Sequence, residues 1–325
     1  MMRLRSYILP LILSAGLSLT GCHSAIMSDL TDCPQYTVFT FDVATPDEIS
    51  YPDGKIDDIR VFAFDEAGTL IGEWIDGEVA FLPGYEMRTD YYRPGVTSFV
   101  AWAGKDLSYY DFGSFKAGAQ KEDLIALMAV QGGKHPADVP PLYVGEPVGG
   151  ALTQEDRTAQ GTVVDEVHFR LHQITNHFNV TIEGLPAGHD YTMTFTAKND
   201  KYDASGMIRP SETFEWTARS FDRNEDGTVT LNAEYDILKL EPGMRGDYFI
   251  TVTDETGAVV YSFDPLHDYI LYTGAAMDGE NPFKDHLDLN HEFNIRIRLQ
   301  NISGTYMAVE VTIQSWNLVF RYESL

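Results

Sequence analysis

The chain has 325 residues, 44% of them hydrophobic and 12% aromatic, and a formal net charge of -26 at pH 7. Its length suits two domains of ordinary size, and its apolar content excludes a disordered tail. The balance of 49 acidic against 23 basic residues argues against nucleic acid or an anionic lipid surface as a partner.

The first element in chain order is an export signal. Arg3 and Arg5 give a positive start, Tyr7 to Leu19 is a short apolar stretch, and small residues lead into Leu19-Thr20-Gly21-Cys22. The stretch is too short for a stable membrane span. A Leu-x-Gly-Cys box is what a lipoprotein signal peptidase requires, because small residues fit its site and the thiol accepts diacylglycerol. The expectation is a signal over residues 1–21, cut before a lipidated Cys22. Two or three acyl chains hold a protein stably on a membrane, where a single chain does not. Cleavage leaves 21 basic against 49 acidic residues, a charge of -28, which suits a soluble body held off a negatively charged surface. Cys33 is then without an intramolecular partner, so no disulfide is expected and the residue reads as small and buried.

Residues 22–34 read as a polar tether. From Tyr36 the pattern has period two, with Thr37, Phe39, Phe41 and Val43 on the side expected to face a core. Ile59, Val61 and Ala63 alternate with Arg60, Phe62 and Phe64, bulky and apolar enough for a strand buried on both faces. Asp65-Glu66-Ala67-Gly68 turns this strand into Thr69 to Ile75, a β-hairpin with Gly at the positive-φ position. Val96 to Ala103 is another strand. The best helix is Gln120 to Val130, with Leu124, Leu127 and Met128 at helical spacing and Gly132-Gly133 as its stop. Residues 134–161 read as loop around Leu142 to Val144, at most an edge strand.

A second series begins near Val163. Strands are expected at Val167 to Leu171, Phe178 to Ile182, Tyr191 to Ala197, Thr213 to Ser220, Thr228 to Leu231, Tyr248 to Val252, Val259 to Phe263, Phe293 to Leu299 and Met307 to Ile313. Gly, Asp, Asn and Pro clusters separate them at spacings typical of sandwiches. The fold class is therefore all-β with little helix, divided into residues 35–170 and 171–325. One internal echo bears on duplication: Val61 to Ile71 and Ile250 to Val260 both read strand, Asp-Glu-x-Gly turn, strand. Turn chemistry converges on such sequences, so repeat and coincidence both stay open.

Catalytic motifs are missing. No Gly-x-Ser-x-Gly elbow, phosphate loop or His-Glu-x-x-His helix occurs, and no cofactor motif. His168, His172 and His177 are close in sequence, but the first two stand about 13 Å apart in a strand at roughly 3.3 Å per residue, too far to share a metal. They read as surface or hydrogen-bonded histidines. Asp222, Asn224 and Asp226 match the first half of a calcium loop, closed by Gly227, but position twelve is Ala233 and the flanks are strands. A weak calcium site competes there with a polar hairpin tip. Trp74, Trp102, Trp216 and Trp316 sit in strand-like stretches and are expected to pack in the core or between sheets.

Several features together resemble a known family. The lipobox at Cys22 is followed by Asp29-Leu30-Thr31-Asp32-Cys33-Pro34, an aromatic strand ending Phe41-Asp42, and Ile59-Arg60-Val61-Phe62-Ala63-Phe64-Asp65. Later come Leu171-His172, Asn179 to Leu185, and Val311-Thr312-Ile313-Gln314-Ser315-Trp316. The chain resembles the FimB-type minor-fimbrium anchoring subunits of Bacteroidales type V pili over essentially its whole mature length. The resemblance implies two tandem transthyretin-like Greek-key β-sandwiches, an outer-membrane location through the N-terminal lipid, and no enzymatic activity. It also implies a fimbrial shaft pilin as partner, joined by β-strand addition, and a role in attaching the shaft and ending its growth. Shaft pilins of such systems lose a first strand by cleavage at a basic residue. Tyr36 to Val43 contains no Arg or Lys, which suits an anchor that stays joined to its lipid, although Lys55 and Arg60 follow. Met307 to Leu325 has the alternation of an edge strand or a donor strand. The competing function is a glycan-binding surface lipoprotein of a polysaccharide-uptake system, which exposed coplanar aromatics would favour.

Overall fold

The computed structural model describes residues 35–44, 49–52, 54–89, 98–128, 134–135, 138–149, 163–216, 218–225, 227–243, 246–271, 287–288, 290–314 and 316–321. Strands of the first half are β1 (Gln35–Ala44), β2 (Ile49–Ser50), β3 (Asp58–Phe64), β4 (Leu70–Asp76), β5 (Glu86–Thr89), β6 (Ser98–Gly104), β7 (Tyr110–Asp111), β8 (Ile125–Met128), β9 (Lys134–His135), β10 (Leu142–Gly145) and β11 (Val163–Gln173). Those of the second half are β12 (Thr175–Pro186), β13 (Tyr191–Ala197), β14 (Lys201–Asp203), β15 (Ile208–Arg209), β16 (Phe214–Trp216), β17 (Arg219–Glu225), β18 (Thr228–Leu238), β19 (Phe249–Asp254), β20 (Val259–Phe263), β21 (Glu292–Ile302), β22 (Thr305–Ile313) and β23 (Trp316–Val319). Among the described residues helix is limited to short turns at Leu107–Tyr109, Lys121–Asp123 and Pro265–Ile270, with a further scrap at 287–288.

The two halves share one wiring plan. In the first, β1 lies between antiparallel β5 and parallel β11, and the facing sheet runs β4-β3-β6-β10. In the second, β12 lies between antiparallel β18 and parallel β21, and the facing sheet runs β16-β13-β19-β20. These are the two tandem transthyretin-like sandwiches that the resemblance implies.

Period-two burial builds the cores. Phe39, Phe41 and Val43 of β1 pack with Ile59, Val61 and Ala63 of β3 and with Phe169 of β11. The other face of β3, Phe62 and Phe64, enters a second cluster with Trp102 and Phe115 that continues into the core of the C-terminal sandwich. Strand β3 is thus buried on both faces, as its composition demands.

Strand exchange fuses the halves. The β14–β15 hairpin, an excursion between β13 and β16, pairs with β8 and extends a small sheet through β7. In return β9 adds to the edge of β16. Trp102 Nε1 donates to the Ala204 carbonyl at 3.0 Å, and the Tyr202 hydroxyl donates to the Ile174 carbonyl. At Gly206 a Cβ would stand 2.4 Å from Val144 Cγ1, so the hairpin's close approach requires glycine.

The internal echo is resolved by geometry. Asp65 Oδ1 accepts from the backbone N–H of Ala67 and Thr69 at 2.9 and 2.8 Å, and Asp254 Oδ1 accepts from Thr256 and Ala258 at 2.8 and 3.0 Å. Asp203 does the same with Ser205 and Met207 at 2.9 and 3.0 Å, so the turn occurs three times among the described residues. In the shared wiring, moreover, β3 corresponds to β13 and not to β19. The echo is turn chemistry, and the repeat shows in topology alone.

Four expectations are corrected. The helix expected over Gln120 to Val130 is replaced in its described part, residues 120–128, by one 3₁₀ turn at Lys121–Asp123 that leads into β8, whose Ala126 and Met128 point inward. The short apolar run is ambiguous by period, and its pairing with β14 decides. Leu142 to Val144 is no edge strand, because β10 lies between β6 and β11. Thr213 to Ser220 divides into β16 and the start of β17. Of the tryptophans, Trp102 and Trp216 are buried and Trp74 packs edge-on to Phe39, but Trp316 is 46% exposed at the start of β23. An outermost strand has no second layer to cover its outer face.

Candidate functional site: an apolar seam in the C-terminal sandwich

The last three strands form a meander, β21-β22-β23, that extends the sheet beyond the shared plan. Sequence sets both turns. Ser303 and Gly304 take φ of 54° and 89°, and Asn301 Oδ1 accepts from Gly304 N at 2.9 Å. Gln314, at φ 52°, donates its N–H to the Asn294 carbonyl at 3.0 Å, while its side-chain carbonyl accepts from Asn294 Nδ2 at 3.1 Å. Strand β23 is outermost in this sheet, and β20 is outermost in the facing one, where among the described residues it pairs with β19 alone.

Between these two edges lies a groove of about 730 Å³. Val259, Val260 and Tyr261 form one wall, Tyr306, Met307 and Ala308 the other, and Leu318 and Phe320 the rim. Val259 is 64% exposed and Phe320 37%; Val319 beside them is 64% exposed. The floor is the π-helical turn Pro265–Ile270. Asp264 caps it, with Oδ1 accepting from Leu266 N and His267 N at 3.0 Å each. The Tyr261 and Tyr269 hydroxyls meet at 2.7 Å. The one carboxylate in the lining, Asp268, already accepts from Asp264 N at 2.9 Å through Oδ2. The groove thus offers mainly apolar walls, with its carboxylate and the Tyr261 and Tyr269 hydroxyls already bonded within the chain, which suits an extended apolar segment better than a charged ligand.

The corresponding seam of the first sandwich is shut. There β10 hydrogen-bonds to β11, pairing Tyr143 with Gln173 and Val144 with His172. Ile174 N donates to the Leu142 carbonyl at 2.8 Å. A Cβ on Gly145 would meet the Arg170 carbonyl at 2.5 Å, so this backbone contact requires glycine.

A titratable cluster lies where the halves join. Burial lowers the pKa of His291 to about 4; His172 keeps solvent contact, and the neighbours that partly desolvate it lower its pKa too; the Lys239 ammonium lowers both further. Lys239 is paired with Asp288. Elsewhere His168 Nε2 donates to the buried Asp42 at 2.7 Å and His177 Nδ1 to Asp236 at 2.7 Å. Among the described residues no group of three or more His, Cys, Asp or Glu is placed to hold a metal.

Cys22 and Cys33 lie outside the described residues. Asp222 and Asn224 fall in β17, opposite Leu231 and Val229, and Asp226 lies outside the described residues. Sequence reading found the β23 side of the groove through its alternation. It missed the β20 wall and the π-helical floor, for which Asp264-Pro265, a cap followed by Pro at the first helical position, was the available signal.

Comparison with known proteins gives a consistent picture. The sequence profile of the family described as fimbrillin-A associated anchor proteins Mfa1 and Mfa2 matches residues 30–322. A Porphyromonas gingivalis protein named minor fimbrium anchoring subunit Mfa2 is 24% identical over 325 residues, covering 97% of this chain and 94% of its own. The solved structure of the fimbrial anchor protein Mfa2 from Porphyromonas gingivalis superposes with a TM-score of 0.71 at 21% identity, over 88% of this chain and 99% of that one. A Bacteroides thetaiotaomicron structure described as a candidate polysaccharide-binding protein has a TM-score of 0.69 at 15% identity, over 89% and 99%. These superpositions establish the shared fold.

Proposed function

We propose that this chain, which belongs to the family of fimbrillin-A associated anchor proteins Mfa1 and Mfa2, is the lipid-anchored subunit that attaches a fimbrial shaft to the outer membrane and helps limit its growth. The curated relative is itself named an anchoring subunit. The lipobox at Cys22 supports the lipid attachment and the outer-membrane location, and the division into signal 1–21, tether 22–34 and two sandwiches meeting near residue 170 puts lipid and shaft contact at opposite ends of the chain.

The observation that carries the reading is the apolar groove between β20 and the β22–β23 hairpin. Contact with a shaft pilin there is β-strand complementation: a partner strand lays alternate apolar side chains into the groove while its backbone extends a sheet edge. The matching family is described by an anchoring role and not by a catalytic one. A glycan-binding role has less support than anchoring, because Trp102 and Trp216 are buried and the one exposed tryptophan among the described residues, Trp316, heads an edge strand. Replacing Cys22 by Ser tests the anchor role: the protein folds and the fimbriae are shed into the medium. Fimbriae retained on cells that carry only the Ser variant would defeat it.

A further inference from the structure

We infer that the fold carries tension in shear, through two parallel strand pairs arranged in series. This rests on the anchor reading, which supplies a pull between the N-terminal tether and the C-terminal sandwich.

Strands β1 and β11 are parallel and in register from Gln35↔Val163 to Val43↔Leu171. The tether joins β1 at its start, at Gln35. The chain leaves β11 at its end, at Gln173, and passes directly into β12 at Thr175. In a parallel pair these two points lie at opposite ends. A pull between them slides the strands along each other, so every ladder hydrogen bond resists together. Antiparallel pairing of the same strands would put both points at one end, and the bonds would open one at a time.

The arrangement repeats. Strands β12 and β21 are parallel from His177↔Glu292 to Glu183↔Arg298. Tension enters β12 at Thr175 and leaves past Ile302, again at the opposite end.

Side chains oppose the slide. Asp42 of β1 is buried and accepts from two β11 residues, His168 Nε2 at 2.7 Å and Arg170 Nε at 3.1 Å. The Thr40 hydroxyl donates to His168 Nδ1 at 2.9 Å, in the tautomer protonated on Nε2. On the inner face the Phe41 and Phe169 rings stack at 5.3 Å. A slip of one residue would carry each of these partners to the wrong face. In the second pair Arg296 of β21 bonds Glu183 of β12. Strand β1 is also held on its other side by β5, and β12 by β18.

Single-molecule pulling on the full chain tests this, with Cys22→Ser and Cys33→Ser and paired cysteine handles. Gln35→Cys with Gln300→Cys loads both pairs in shear. Gln35→Cys with Val164→Cys pulls β1 and β11 apart from the same end; Gln300 and Val164 are exposed, so both variants should fold. At matched loading rate the first geometry should rupture at a force greater by about twofold or more. Equal forces would overturn the inference while leaving the anchor reading to be judged on fimbrial release by Cys22→Ser. Conversely, retention of fimbriae on that variant would remove the biological pull without changing the force ratio.

Discussion

The two sandwiches share one plan and differ at one seam. In the first, β10 is drawn onto β11 and the two sheets join into a continuous surface. In the second, the corresponding strand β20 stands across a groove from the β21-β22-β23 meander. Two local features explain the difference. Gly145 lets the β10 backbone approach Arg170, where Val259-Val260-Tyr261 of β20 would present bulky side chains. And β21 continues into a hairpin, so its hydrogen bonds on that side go to β22. Closure and opening are therefore set by a few residues on a common scaffold, and the closed seam marks what the other has room to receive.

The sharpest way to break the comparison is to place the same charge at both seams. Val144 is buried at the closed seam, and Val144→Asp should destabilise the fold by about 4 kcal/mol, because it takes a carboxylate out of water and into an apolar core. Urea unfolding followed by tryptophan fluorescence measures it; a loss near zero would show that the seam is not packed as described.

Acid should act on the closed half as well. His172 pairs with Val144 across that seam, and His291 adjoins it at the junction. Their folded pKa values lie below the ordinary 6.5, that of His291 at about 4. As pH falls from 6.5 toward 4 the unfolded chain takes up protons that the folded chain refuses, so stability drops over that window and is intact above it. The expected loss is on the order of 2 kcal/mol, and His291→Gln should flatten the midpoint-against-pH curve between those limits. An unchanged curve would place the acid response elsewhere.

At the open seam the expected effects on stability are smaller. Val259→Asp should change unfolding by no more than about 1 kcal/mol, since the side chain is already in solvent. Smallest of all is calcium. Asp222 and Asn224 sit in the β17–β18 ladder and not in a wrapped loop, so calcium should leave the thermal midpoint unmoved. A rise would assign Asp222, Asn224 and Asp226 a ligand role.

The sequence was most legible where period and turn chemistry agreed. β13 and β20 have the limits their alternation suggests, and Gly68 takes the positive φ that its turn needs. Legibility failed where distant residues decide. Ile125 to Met128 becomes a strand because Lys201–Asp203, far along the chain, offers it an edge. Leu142 to Val144 becomes interior because β6 and β11 converge on it. The groove was half legible for the same reason: alternation announced β23, but nothing local states that β20 will face it across a gap.

The central claim is that the open seam holds the shaft. The direct measurement is the fraction of fimbriae released into the medium by cells whose chain carries Val259→Asp with Phe320→Asp, normalised to the amount of folded variant on the cell. The account predicts that the variant reaches the surface at the normal level and that fimbriae are shed, as with Cys22→Ser. Fimbriae retained at the normal level on a correctly folded variant would contradict it.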